Sequence, residues 1–150
     1  MIKLEFPAFE PRIRQQGAQD QIWDGIRRKW VMLTPEEWVR QHFIHYLTHT
    51  KGYPASLLAV EKTIRQGDLI RRFDIVAYGR NLRPFLLVEC KEMNVPLTEA
   101  VLEQALHYNL SLQTQYLAIT NGVGCYAFAL HAGTLEPLNE IPRFKEHSSE

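Results

Sequence analysis

From residue 34 onward the hydrophobic positions follow two alternating periods. Thr34-Pro35-Glu36-Glu37 opens a helix: Thr34 stands at the cap, Pro35 suits the first helical position, and Glu37 completes a capping box. Leu33 and Trp38 fit a hydrophobic staple around that cap. Trp38, Phe43 and Leu47 continue an apolar stripe until Gly52-Tyr53-Pro54 ends it. The period then becomes that of strands, over Leu57 to Arg65, Arg72 to Gly79 and Pro84 to Lys91, separated by Gln66-Gly67-Asp68 and Arg80-Asn81-Leu82-Arg83. A second helix is predicted from the cap at Thr98 to about Leu112. A strand over Tyr116 to Thr120, the turn Asn121-Gly122 and a last strand over Cys125 to Leu130 follow.

This order of helix, three strands, helix, strand, strand predicts an α/β domain with a mixed β-sheet flanked by helices on both faces. The first three strands form an antiparallel meander, and the crossover through the second helix brings the next strand in parallel, with right-handed connection. Phe73, Ile75 and Ala77 alternate with Asp74, Val76 and Tyr78, so both faces of that strand are mostly apolar, as a strand covered on two sides requires. Pro7, Pro11 and Gly17 break any period in residues 1–33, which are expected to be an extension lying against the domain. Residues 34–131 form the core, and residues 132–150 a loose tail, all within one domain of 150 residues.

Composition narrows the function. Hydrophobic residues make up 45% and charged residues 23%, an ordinary globular balance. Seventeen basic residues cancel seventeen acidic ones, which excludes a polybasic nucleic-acid coat or membrane binder and leaves room only for a local basic patch. No apolar run approaches the ~20 residues needed to span a bilayer. The start Met1-Ile2-Lys3-Leu4-Glu5-Phe6-Pro7 lacks the order of a secretory signal, so a soluble cytoplasmic domain without membrane attachment is expected. Two cysteines, Cys90 and Cys125, cannot make a disulfide scaffold. No glycine-rich phosphate loop is present, so the chain carries no nucleotide-driven motor of its own. The histidines, His42 and His45 included, follow no metal-ligand spacing, and neither Ser56 nor Ser111 has a base nearby in sequence.

The chemistry emerges when the hairpin between the second and third strands is folded. A loop over Arg80 to Arg83 pairs Gly79 with Pro84 and sets Asp74 opposite Glu89. Cross-strand neighbours hold their Cβ atoms about 4.5–5.5 Å apart, where two like charges destabilise a sheet unless a cation lies between them. The period of two adds Lys91 to the same face and turns Cys90 to the other. Oxygen ligands at this spacing suit Mg²⁺, with Mn²⁺ tolerated. Such a metal polarises a phosphodiester and lowers the pKa of bound water, while Lys91 orients the attacking water. The bland alternative is an ion pair of Glu89 with Lys91 at a strand end, with Asp74 serving Arg71 or Arg72.

The same residues carry a resemblance. Asp74, fourteen residues, then Glu89-Cys90-Lys91 is similar to the D…E-x-K signature of PD-(D/E)XK nucleases, and the element order resembles their αβββαβ restriction-endonuclease-like core. Gln104-Ala105-Leu106-His107-Tyr108 fits the Q-x-x-x-Y motif downstream of E-x-K in the nuclease domain of type I restriction enzyme R subunits. Thr34-Pro35-Glu36-Glu37-Trp38-Val39-Arg40 and Thr120-Asn121-Gly122 resemble the small stand-alone proteins of that group, and the likeness runs from about Arg27 to Leu130. One departure is that Phe73, not proline, precedes Asp74.

The resemblance implies a Mg²⁺-dependent DNA endonuclease. Asp74 and Glu89 would bind the metal, Lys91 would position the water, and Gln104 would support the site. Tyr108 would contact the nucleic-acid backbone, with plain core as its alternative. A helix-one glutamate often adds a ligand in this superfamily; Glu37 is the candidate, although its capping position already explains it, and Glu61 is its rival. Arg71, Arg72, Arg40, Lys62 and Arg65 could supply phosphate contacts, or form a solvated charged surface. The implied partners are DNA, or RNA in its place, with helicase or other restriction subunits acting in trans, and a second copy of the chain where both strands are cut. The competing reading is a binding subunit that keeps the nuclease fold and works only within a complex.

Overall fold

The computed structural model describes residues 1–144. Its strands are β1 (Ile2–Lys3), β2 (Ile13–Gln16), β3 (Gln19–Asp24), β4 (Lys29–Met32), β5 (Leu58–Gln66), β6 (Leu69–Tyr78), β7 (Pro84–Cys90), β8 (Tyr116–Thr120), β9 (Gly124–His131) and β10 (Thr134–Leu138). The helices are α1 (Pro35–His49), between β4 and β5, and α2 (Glu99–Asn109), between β7 and β8. The main sheet has the order β1-β9-β8-β7-β6-β5, with β10 also on β9. The meander β5-β6-β7 is antiparallel and β7 runs parallel to β8 across the α2 crossover, as the element order predicts.

Each helix covers one face. Val39, Phe43 and Leu47 of α1 pack with Ile75, Ala77, Leu86, Val88 and Cys90. Ala105, with Val101 and Leu102 against it, packs from α2 onto Phe73, Val76, Leu87, Leu117 and Ile119. Every residue from Phe85 to Cys90 is therefore buried, because β7 has a helix on each side and a strand at each edge. Among the described residues no helix is long and apolar enough to cross a membrane.

Two stretches expected to be irregular are ordered instead. In residues 1–33, β1 pairs with β9, and β2-β3-β4 make a separate antiparallel sheet. The β2 strand reads Ile13-Arg14-Gln15-Gln16 and is exposed throughout, so its period of two carries almost no hydrophobic contrast. In the expected loose tail, β10 pairs with the edge of β9 from Thr134↔His131 to Leu138↔Ala127 and satisfies backbone groups an open edge would leave unpaired. Ile141 is fully buried, and the Tyr53 hydroxyl donates to the Pro142 carbonyl at 2.6 Å. Residues 145–150 of that tail lie outside the described residues.

The β6–β7 hairpin keeps the expected offset but not the expected loop. Ile75↔Val88, Val76↔Leu87 and Ala77↔Leu86 keep that offset, and the paired ladder ends one step before Asp74 and Glu89, while a bulge at Ala77/Tyr78 pairs Pro84 with Tyr78 rather than Gly79. The simple alternation of β6 also breaks. Ile75 and Ala77 face α1, whereas Phe73 joins the α2 side. The break at Asp74 meets another on β5, where Glu61, with φ +52°, interrupts the ladder between Val60↔Ile75 and Lys62↔Phe73. These two irregularities re-aim acidic side chains at the rim of the sheet.

Candidate active site

The first turns of α1 build one wall of the site. Thr34 Oγ1 accepts the Glu37 N–H at 3.0 Å, so the cap forms as its sequence requires. The Glu37 carboxylate is occupied elsewhere. Both its oxygens accept from Arg27 Nη2 at 3.0 Å, and it also accepts from Gln41 Nε2 at 2.9 Å and from Arg40 Nη1. Asp24, fully buried at the end of β3, accepts the Ile26 and Arg27 amides at 2.7 and 2.8 Å, Arg27 Nε at 2.6 Å and Gln41 Nε2 at 3.0 Å. Burial alone would raise the Asp24 pKa, but the Arg27 hydrogen bonds and charge outweigh it and hold the carboxyl below its ordinary value. This network bolts the small β-sheet to α1.

Arg40 is the hinge of the charge arrangement. Its side chain is only 6% exposed, Nη2 donates to Asp74 Oδ1 at 2.7 Å, and Nη1 reaches Glu61 at 3.2 Å besides Glu37. Burial works against its charge, but the Asp74 and Glu37 carboxylates reverse that and push its pKa above the ordinary arginine value. The other Asp74 oxygen accepts the Cys90 N–H at 2.9 Å.

Glu89 sits beside Asp74 with its Oε1 buried and without a hydrogen-bond partner among the described residues. Burial first, then the negative charge of Asp74 and their shared hydrogen bond, push its pKa up to about 9 despite the pull of Lys91. Lys91 has no ion-pair partner within 4.0 Å among the described residues. Its backbone N–H is anchored on the Thr120 carbonyl at 2.8 Å, at the end of the parallel ladder.

Asp74, Glu89 and Lys91 line one open cavity of about 460 Å³. Glu61 on the sheet rim and the exposed Arg72 at the mouth line it, one wall is Thr34, Glu36, Glu37 and Arg40, and the other is Val31 and Met32 of the small sheet with Arg27 of its β3–β4 turn. Five carboxyl groups and four cations line it. A proton on Glu89 therefore evens the charge, whereas a divalent ion bound with Glu89 ionised would leave one positive charge in excess. Among the described residues no three His, Cys, Asp or Glu side chains form a ready-made cage for a metal.

The expected residues divide. Glu37, Glu61, Arg40 and Arg72 join the central trio at the cavity. Arg40 is buried against carboxylates, so it is not the exposed phosphate contact expected of it. Arg72 is 69% exposed and reaches Glu61 at 3.4 Å. Gln104 and Tyr108 are brought together elsewhere: Gln104 Nε2 donates to the Tyr108 hydroxyl at 3.1 Å, and Tyr108 packs on Phe73 and under the Arg71 guanidinium. Arg71 Nη2 also meets His107 at 3.3 Å, while Lys62 lies over the Tyr78 ring; neither lines the cavity. Sequence reasoning missed Asp24, Arg27, Glu36 and Gln41. The spacing of Glu36 and Glu37 before Arg40 and Gln41 was a usable i,i+4 signal, whereas nothing local joined Arg27 to α1.

Residues 35–142 match the family model described as type I restriction enzyme R protein N terminus. The chain belongs to this family. The chain also resembles a solved fragment assigned as the HsdR subunit of a type I restriction enzyme from Vibrio vulnificus YJ016, with TM-score 0.55 and 20% identity. That match covers 74% of this chain and 24% of the other, so the chain spans about a quarter of that protein's length. No curated protein matches it. A likeness at this identity concerns the fold: the mixed sheet between two helices is restriction-endonuclease-like. This domain is thus a restriction-related, nuclease-like domain.

Proposed function

We propose that the chain is a Mg²⁺-dependent nuclease domain that hydrolyses phosphodiester bonds of DNA, with Asp74, Glu89 and Lys91 as its catalytic set. The observation that carries this reading is the meeting of the two carboxyls beside an unpaired ammonium group in one open cavity. The buried, unpartnered Glu89 Oε1 fits a metal ligand, since an orphaned carboxyl oxygen is costly unless something fills it. Asp74 and Glu89 would hold the ion, a hard cation that keeps several waters and needs only one or two carboxylates. Once bound, Mg²⁺ or Mn²⁺ supplies Lewis acidity to a phosphoryl oxygen.

The remaining chemistry belongs to side chains. Lys91, which lines the cavity without an ion-pair partner among the described residues, orients the attacking water and stabilises negative charge developing on the phosphoryl oxygens. Cys90 N–H fixes the Asp74 carboxylate, and Arg72 at the mouth offers a phosphate contact. Glu37, fully engaged by Arg27, Arg40 and Gln41, keeps the wall together rather than ligating.

Plasmid and oligonucleotide DNA should be cut in Mg²⁺ or Mn²⁺ by the native chain, and about 10²-fold or more slowly by Lys91→Ala. Equal rates would remove the proposal. One observation favours a second reading, in which the domain cuts only inside a complex with helicase and other restriction subunits. Arg40 already neutralises Asp74 Oδ1, so a metal must compete with a guanidinium at 2.7 Å. Cleavage that appears only when such subunits are added would support that reading.

A further inference from the structure

The strand register of the small sheet sorts its side chains onto two faces. Trp23↔Trp30, Gln21↔Met32 and Arg14↔Gln21 are cross-strand partners and so share one face, and Arg12 joins them opposite Trp23. Ile22 and Asp24 turn the other way and are completely buried. The strand positions of the first face hold no carboxylate, the remaining ones being Gln16 and Gln19 with Asp20 and Asp24 on the second, while Glu10, ahead of β2, shares a pocket with Arg12 and Trp23 at its edge.

On that face two cations and two indoles are interleaved. The Arg12 guanidinium lies 5.3 Å from the Trp23 ring and 5.5 Å from the Trp30 ring, and Arg14 lies 4.4 Å from Trp30. The rings meet edge to face at 5.5 Å. Both arginines are exposed and both tryptophans are only half-buried, so no second layer covers them. Met32, 52% exposed, continues the face into the wall of the catalytic cavity. In a chain of zero net charge, strand positions that carry arginine and tryptophan and no acid are the local exception, and their charge complements a polyanion.

We infer that the β2-β3-β4 sheet is a stacking platform that binds single-stranded DNA beside the cavity. Unpaired bases expose ring faces for Trp23 and Trp30, and the arginines meet the phosphates between them; bases inside a duplex are already stacked on one another. Stacking does not depend on which base is present, so binding should be sequence-tolerant. The inference deepens the proposed nuclease reading by naming its substrate class, and it rests on that reading only for the cleavage of the bound strand.

The test is fluorescence anisotropy of a labelled 20-nucleotide oligo-dT and of a duplex of equal length, with the whole chain, across salt. The native protein should prefer the single strand, and binding should quench its tryptophan emission. Trp30→Ala should weaken single-strand binding about tenfold. Because removing an indole could disturb so small a sheet, Arg12→Gln/Arg14→Gln gives the second arm. It should lower affinity and flatten the salt slope by about 0.7 for each phosphate the variant no longer neutralises. Native affinity in the arginine variant, preference for the duplex, or no oligonucleotide binding would each overturn the inference. Metal-dependent cleavage of the same oligo-dT, measured alongside, separates the two ideas. Single-strand binding that falls in the sheet variants, with no cleavage by the native chain, leaves the platform and removes the nuclease; cleavage lost in Lys91→Ala, with binding and cleavage of the single strand unchanged in the sheet variants, leaves the nuclease and removes the platform.

Discussion

Replacing Arg40 by alanine should destabilise the protein by about 3–5 kcal/mol, the cost of leaving buried charges without their partner. Arg40 is the common neighbour of Asp74, Glu37 and Glu61, and only 6% of its side chain is exposed. Solvent cannot replace it. The loss corresponds to a fall of about 10 °C in melting temperature for a domain of this size. Millimolar Mg²⁺ should recover more stability in Arg40→Ala than it adds to the native chain, because the variant leaves Asp74 Oδ1 open to the ion. Calorimetric melting with and without Mg²⁺ checks both statements. A variant that melts like the native protein would mean that the carboxylates are already neutralised by protons rather than by Arg40.

The second large effect is on pH dependence. Glu89 has a folded pKa of about 9 against an ordinary 4.5. Between those values the folded state keeps a proton that the unfolded state has released. The stability this proton confers is complete below about pH 4.5 and is lost as pH rises toward 9. Glu89→Gln copies the protonated carboxyl and removes that slope. The variant should therefore exceed the native protein at pH 8 by on the order of 2 kcal/mol and differ little at pH 5. Urea unfolding across that range measures the difference, and parallel curves for the two proteins would contradict the coupling of Glu89 with Asp74.

The readable parts of the fold were those with hydrophobic contrast. The Tyr116–Thr120 strand follows from a run of buried residues, α2 from its Thr98 cap, and the meeting of Asp74 with Glu89 at one cavity from an offset counted through the β6–β7 loop. That count survived although the loop itself differs, because the bulge at Ala77/Tyr78 takes up the residue by which the loop changes. The small sheet was hidden because its outward face mixes arginine and glutamine with Trp23, Trp30 and Met32, so its two faces differ little in hydrophobicity, and its buried inward positions are few. Arg27 was not legible as a site residue, since its partners Asp24 and Glu37 converge only through the packing of that sheet on α1. Gln104 and Tyr108 illustrate the opposite case. Their spacing marks a common helix face, but that face meets Phe73 and Arg71 on the α2 side of the sheet rather than the cavity.

Magnesium titration by calorimetry, run at pH 7.5 in two buffers of different ionisation enthalpy, most directly tests whether Asp74 and Glu89 share a divalent ion. Binding to the native chain should release about one proton, because the ion requires Glu89 charged, and Glu89→Gln should show neither the binding nor the release. Equal binding and proton release in Glu89→Gln, or no uptake by the native chain even with an oligonucleotide present, would contradict the metal site.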